Sequence, residues 1–339
     1  MARYQSDSML GAMFRLFDLR DCRCGVRGLP NEHLSCCVNS ILQTLSATWE
    51  LADLLEKWEA SGVKAEAWSV PLQLSRALAA MRSEPPRPAP HRDLLRCLDR
   101  HCVRLNTQHD ADEVFVAIMN LMQQQMEDRS TALEIQNLYR LSVETHVQCL
   151  QCSSVQSQSS YLLSLPLHIQ EDHNSLEGCL KSFFEPQELG GINCCFCPAC
   201  ESKTPSKKGF KLLSLPPILC LHLKRFRSSS GRTRKLGCTV TFPESLDLLA
   251  AVRDAFPSDC VQAACRYALY AVVVHSGSAH FGHYTAYVRD RTDRRWYYAD
   301  DSHVQQASWE DVQGTYGDRH RSTAYMLMYR RGSAEEHRE

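Results

Sequence analysis

Gly28-Leu29-Pro30-Asn31-Glu32-His33-Leu34-Ser35-Cys36-Cys37-Val38-Asn39-Ser40-Ile41-Leu42-Gln43 decides how the rest of the chain is read. Turn-forming residues give way to Val38, Ile41, Leu42 and Leu45 at helical spacing, so a loop delivers Cys36 to the start of an amphipathic helix. The first turn of a helix carries unpaired N–H groups and the positive end of the dipole. Both favour a thiolate there, and the same N–H groups can face a developing oxyanion. The competing reading is a buried structural cysteine, the ordinary fate of a free thiol. Two features favour chemistry: Asn31 supplies a side-chain amide near the thiol, and a suitable histidine lies far downstream.

That histidine opens a β-rich run, Gly282-His283-Tyr284-Thr285-Ala286-Tyr287-Val288, followed by Trp296-Tyr297-Tyr298-Ala299-Asp300-Asp301-Ser302. Two adjacent strands joined by a turn at 290–293 would bring the start of the first beside the end of the second. His283 and Asp300 then become neighbours. One ring nitrogen can face a thiol while the other donates to the carboxylate. A surface hairpin with ordinary charges is the plainer alternative.

A third pattern is Cys149-Leu150-Gln151-Cys152 with Cys197-Pro198-Ala199-Cys200. Paired C-x-x-C knuckles suit a closed zinc site of four cysteines, structural because four thiolates leave no open position. Four free core thiols are the alternative, and Cys194 or Cys195 could replace Cys197. A redox reading is weaker because neither pair follows a βαβ pattern.

Around these segments, apolar spacing predicts helices over 38–58 and 110–126, and a Pro-rich connector over 83–90. The second half carries strand-like runs at 218–226, 267–275, 284–288, 295–298 and 324–329. Helices first and strands later indicate an α+β fold. The 339 residues allow one large enzyme fold. Lys and Arg number 38 against 39 Asp and Glu, a balance with no bulk pull on nucleic acid. No apolar run is long enough for a membrane span. Residues 1–24 read as a flexible leader without a signal-peptide core, so an intracellular setting is expected. The 17 cysteines then read as thiols, ligands or a nucleophile, not as a disulfide framework. Asp110 and Glu113, three apart on a predicted helix, can project to one face, whereas Asp112 points elsewhere. The plain alternative is a pair of first-turn acids favouring the helix dipole.

Taken together, these segments resemble the ubiquitin-specific protease family over roughly 28–330. The shared motifs are the Cys box (Gly28-Leu29, Asn31, Cys36, Asn39-Ser40, Leu42-Gln43), Gln108-His109-Asp110-Ala111 with Glu113, the paired C-x-x-C, Leu221-His222-Leu223-Lys224-Arg225-Phe226, and the His box (Gly282-His283-Tyr284, Trp296-Tyr297, Asp300-Asp301-Ser302). The resemblance implies a papain-like catalytic domain over 25–331: a helical thumb (28–138), zinc-bearing β fingers (139–226) and a β palm (227–331), with a disordered tail at 332–339. It implies Cys36 as nucleophile, His283 as base, Asp300 as orienting acid and Asn31 as oxyanion donor. Asp110, Glu113, Gly282 and Tyr284 would hold the basic tail of a ubiquitin-like modifier, and Cys149, Cys152, Cys197 and Cys200 one structural Zn2+. No catalytic cofactor is expected.

Within the family, Cys36-Cys37, Lys203-Thr204-Pro205, Asp301-Ser302-His303-Val304 and Thr315-Tyr316-Gly317 resemble the interferon-induced member that removes a tandem-domain ubiquitin-like modifier. That resemblance implies deISGylase activity on modifier conjugates, contact with interferon receptor signalling components, and a cytoplasmic or nuclear location. The alternatives are a deubiquitinase acting on ubiquitin itself, a largely non-catalytic regulator, and a plain zinc-binding interaction protein. The chain departs from the family at Glu32-His33-Leu34, where most members carry Gly and Asn before the cysteine. Asp112 and Glu113 also make its tail-binding helix more acidic than in that member.

Overall fold

The computed structural model describes residues 26–332, apart from 63–65, 84–89, 102, 105, 230, 257–264 and 318–321. The expected leader, most of the Pro-rich connector and nearly all of the tail lie outside the described residues. Helices come first: Cys36–Ser46, Trp49–Ala60, Val70–Arg82, Arg92–Asp99, Ala111–Gln125 and Arg129–Tyr139. Strands dominate from Leu141 onward, which is the α+β segregation expected.

The large sheet has eight strands. Seven run in the order His303–Ala307, Trp296–Asp300, Gly282–Arg289, Arg266–Gly277, Ser322–Arg331, Ile218–Leu223, Leu165–Leu167, and Ser245–Asp247 pairs onto Arg266–Gly277. Both faces of its centre are buried, so its strands read as near-continuous apolar runs. Ile218 and Cys220 pack with the helices, whereas Leu219, Leu221 and Leu223 pack on the opposite face with the helix Leu176–Phe184. In the strand Arg266–Gly277, Leu269 and Val272 face that second layer while Tyr270 and Ala271 face the helices. This break in alternation coincides with a register shift between Leu269 and Ala271, as an extra residue in one strand requires.

The helix Cys36–Ser46 lies between the other helices and the strand Gly282–Arg289. Every residue from Cys36 to Leu45 is buried. The expected amphipathic helix is therefore a central one, enclosed on all sides. The predicted helical stretch 38–58 breaks into two at Thr48, whose hydroxyl meets the Tyr270 hydroxyl at 2.7 Å.

A second sheet of four strands stands apart, ordered Val155–Leu162, Leu141–Cys149, Ser206–Ser214, Gln187–Leu189. Its edge strand Val155–Leu162 is exposed nearly throughout and polar, the usual protection of an open edge. The expected fingers segment 139–226 is broader than this sheet. Leu165–Leu167 and Ile218–Leu223 belong to the large sheet, because every residue of Ile218–Leu223 is buried there. No helix among the described residues is long and apolar enough to cross a membrane.

Candidate active site

Cys36 is the first residue of its helix and is 7% exposed. The Ser35 side chain makes no cap bond to that helix. It closes the preceding loop instead: Glu32 N donates to Ser35 Oγ at 2.9 Å and Ser35 N donates to Asn31 Oδ1 at 2.9 Å. The two adjacent thiols differ. Burial pushes the Cys37 thiol well up, helped by Cys36, Asp110 and Glu113 nearby, so Cys37 stays neutral.

The strand pair that carries His283 and Asp300 forms as expected, with Ala286 opposite Ala299. His283 Nε2 lies 2.6 Å from Asp300 Oδ1. The influence of the Cys36 side chain is the main reason the His283 pKa rises to about 9; burial opposes it and Asp300 adds to it. Cysteine, imidazole and carboxylate thus act on one another at the junction of the helix and the two strands.

Asp301 ties the cysteine loop to the histidine strands. Its Oδ2 accepts from Asn31 Nδ2 at 2.8 Å and its Oδ1 from Asn39 Nδ2 at 2.8 Å. The same Oδ2 is 3.9 Å from His283 Nε2. Leu29 N donates to Asp301 O at 2.7 Å, and a Cβ on Gly28 would run into the Ser302 carbonyl. Glycine is needed there because two backbones touch. Asn31 spends one amide hydrogen on Asp301, and an amide nitrogen has two. A Cβ on Gly282 would fall on the His275 imidazole, which is buried directly behind the histidine loop. Burial first, then Lys235 and His283, push His275 down to about 3, so this second histidine is neutral.

The residues expected along the modifier tail separate. Asp110 caps the helix Ala111–Gln125, its Oδ1 accepting from Asp112 N at 2.8 Å and Glu113 N at 3.4 Å. Its Oδ2 accepts from the Tyr325 hydroxyl. Both Asp110 oxygens therefore take part in the fold. Glu113 is exposed and forms no ion pair among the described residues. Tyr284 differs from expectation: at 5% exposed, its ring packs on His275 and Tyr325, so it supports the site from beneath. Asp112 does point elsewhere, into the buried His222 at 3.1 Å. Sequence reasoning assigned no role to Gln108, yet its amide makes two bonds to Gly282: Nε2 donates to the carbonyl at 3.1 Å, and Oε1 accepts from the N–H at 3.3 Å. The only signal was its place beside His109-Asp110. Arg225 was equally silent. It is fully buried and donates to the carbonyls of Ala324, Leu236, Cys238 and Tyr316.

The four knuckle cysteines converge at the tip of the small sheet. Cys149, Cys152, Cys197 and Cys200 have sulfurs all within 4.8 Å of one another, and Cys194 and Cys195 are not among them. Cys149–Cys200 and Cys152–Cys197 sulfur distances are 3.9 and 3.6 Å. Four sulfurs about 2.3 Å from one ion stand roughly 3.8 Å apart in a tetrahedron, so the set fits a metal ion. The two knuckles repeat one backbone device: Ser153 (φ 62°) and Glu201 (φ 51°) follow their second cysteines in the left-handed region. The Thr204 hydroxyl, then the Cys152 N–H, draws Cys149 down to about 6, whereas hydrogen bonding to Cys152 first pushes Cys200 up to about 12. Thiols this close cannot all ionise without a cation among them. Every described cysteine is free of disulfides.

The family model "Ubiquitin carboxyl-terminal hydrolase" matches residues 27–329. "Ubl carboxyl-terminal hydrolase 18" of Mus musculus is 35% identical over 315 residues, covering 90% of this chain and 85% of that protein. The Homo sapiens protein of the same name is 34% identical over 316 residues, with the same coverage. "Ubiquitin carboxyl-terminal hydrolase 47" of Drosophila melanogaster is 27% identical over 390 residues, covering 92% of this chain but 25% of that protein. A match to nearly the whole chain, converging on the helix and strands that carry Cys36, His283 and Asp300, makes this chain a member of the ubiquitin carboxyl-terminal hydrolase family.

Proposed function

We propose that this chain is a thiol isopeptidase that releases a ubiquitin-like modifier from substrate lysines. The observation that carries the reading is the grouping of Cys36, first residue of a buried helix, with His283 and the Asp300 carboxylate bonded to its ring. The Cys36 sulfur attacks the carbonyl carbon of the modifier's C-terminal glycine. With Nε2 held by Asp300, His283 has Nδ1 left to take the thiol proton and deliver it to the leaving lysine amine. Water, activated by the same nitrogen, then releases the thioester. The remaining Asn31 N–H and the helix N–H groups would stabilise the oxyanion. Glu113 offers an unpaired carboxylate to a basic tail.

The three relatives at 34–35% identity are named as Ubl hydrolases, which favours a ubiquitin-like modifier over ubiquitin. The resemblance at Cys36-Cys37, Lys203-Thr204-Pro205 and Thr315-Tyr316-Gly317 favours the tandem-domain interferon-induced modifier within that class. By the same resemblance the protein works in the cytoplasm or nucleus and meets interferon receptor signalling components. Cys149, Cys152, Cys197 and Cys200 would hold one Zn2+, which shapes the fingertip and takes no part in the chemistry. Matched probes of ubiquitin and of the tandem modifier, each with an electrophilic C-terminus, test the preference. The tandem probe should react at least about tenfold faster, the ratio that a 1.4 kcal/mol difference gives. A faster reaction with the ubiquitin probe would make the chain a deubiquitinase, equal rates an isopeptidase without preference, and no reaction with either would leave a non-catalytic regulator.

A further inference from the structure

The departure at Glu32-His33-Leu34 coincides with an unusual backbone. His33 (φ 55°) and Leu34 (φ 65°) are consecutive left-handed residues. L-residues with a Cβ avoid that region; Gly, and to a lesser extent Asn, enter it readily. Both side chains are exposed, so core packing does not hold the pair in place. The two Asn31–Ser35 and Glu32–Ser35 bonds close the loop on itself without anchoring its strained part. Asp301 holds the start of the loop through Asn31, and one contact holds Glu32, the residue next to the strained pair. Arg92, first residue of the helix Arg92–Asp99, grips the Glu32 carboxylate with both faces of its fork: Nη2 to Oε1 at 2.7 Å, Nε to Oε1 at 3.0 Å and Nε to Oε2 at 3.2 Å. The Arg92 bond is the main reason the Glu32 carboxyl is held below its usual range.

We propose that Arg92 is a positioning residue for the nucleophile. By holding Glu32 it keeps His33 and Leu34 left-handed, the conformation from which the chain enters the helix with the Cys36 thiol on His283. The proposal rests on Cys36 as nucleophile. Most exposed ion pairs contribute little, so the pair must be shown to act on the loop. Strain supplies the distinction. A clamp that opposes strain matters where the residues resist the conformation and ceases to matter where they accept it.

The experiment is a cycle of four full-length proteins: wild type, Arg92→Ala, the loop variant His33→Gly with Leu34→Asn, and the combination. Each is labelled with a C-terminally electrophilic ubiquitin-like probe, and the maximal rate and half-saturating concentration are read separately. Arg92→Ala should lower the maximal rate about tenfold with unchanged half-saturation, within the range of directly coupled residues. The loop variant should stay within about twofold of wild type, and Arg92→Ala in that background should also cost no more than about twofold, since the strain is gone. Arg92→Lys should recover only part of the rate, because a point charge cannot grip both oxygens. Equal losses from Arg92→Ala in both backgrounds would overturn the clamp, as would no loss in either. A wild type labelled on another cysteine would overturn the Cys36 reading itself, which separates that failure from failure of the clamp.

Discussion

The active-site cleft and the fingertip use the same side chain in opposite ways. At the cleft a single sulfur, Cys36, meets one imidazole at the entrance to a buried helix. At the fingertip four sulfurs meet one another within 4.8 Å, on short strands and turns. The first arrangement sets one thiol beside a base, as nucleophilic catalysis requires; the second has the spacing of a closed metal site. Partners, not the cysteine, set the chemistry, and substitutions should therefore separate the two regions cleanly.

The largest expected effect is Cys36→Ala. Hydrolysis of a modifier fusion should fall to background while the thermal midpoint moves little, since the helix keeps its other buried residues. A dead Cys37→Ala beside an active Cys36→Ala would place the nucleophile one residue on. His283→Ala should cost about a thousandfold in kcat, the scale of a lost general base. Asp300→Ala should cost less, about ten- to a hundredfold, because Asp301 Oδ2 stands 3.9 Å from the same ring nitrogen. If Asp300→Ala proved as severe as His283→Ala, Asp301 would contribute no orientation.

Cys149→Ser should do the reverse. Metal analysis should fall from about one ion per chain toward none, and the fingers should lose stability, because structural zinc contributes directly to folding. Cys36 should still react with a small alkylating reagent. Loss of that reactivity would mean that the two regions are not independent.

What the sequence could tell about each region follows the same divide. Local signals were legible: the start of the Cys36 helix, the strand pair carrying His283 and Asp300, and the two C-x-x-C knuckles. Each depends on near neighbours or on one strand pairing. Contacts made by topology were not legible. Nothing in Lys224-Arg225-Phe226 announces that four carbonyls from other segments converge on Arg225. The bond from the Tyr325 hydroxyl to Asp110, from a residue far along the chain, is likewise announced by nothing near Asp110 in sequence. Ile218–Leu223 belongs to the palm because its residues are buried on both faces, which no spacing before it announces.

A smaller effect lies in pH. The His283 pKa is raised to about 9, so its contribution to stability is complete below about 6.5 and is lost as pH rises through 9. His275 is lowered to about 3 and works oppositely: its contribution is present above about 6.5 and is lost as pH falls toward 3. Thermal midpoints across pH should decline on both sides, and His283→Ala should remove the alkaline decline alone. An alkaline decline that persists in that variant would assign it to another group.

Smallest is the expected division among the helix acids. Glu113→Ala should weaken modifier affinity with little change in stability. Asp112→Ala should instead destabilise the protein by leaving buried His222 unpaired, and Asp110→Ala by about 1 kcal/mol through loss of the cap. Loss of affinity confined to Asp112→Ala would put the tail channel on the wrong face of the helix.

The most direct test of the whole account is the location of one covalent bond. A ubiquitin-like probe with an electrophilic C-terminus is incubated with the full-length protein, and the modified residue is identified by peptide mass spectrometry. The chain offers 17 cysteines. A single adduct is expected on Cys36, absent from Cys36→Ala and slowed in His283→Ala. An adduct on Cys37 or on a knuckle cysteine, or undiminished labelling of Cys36→Ala, would contradict it.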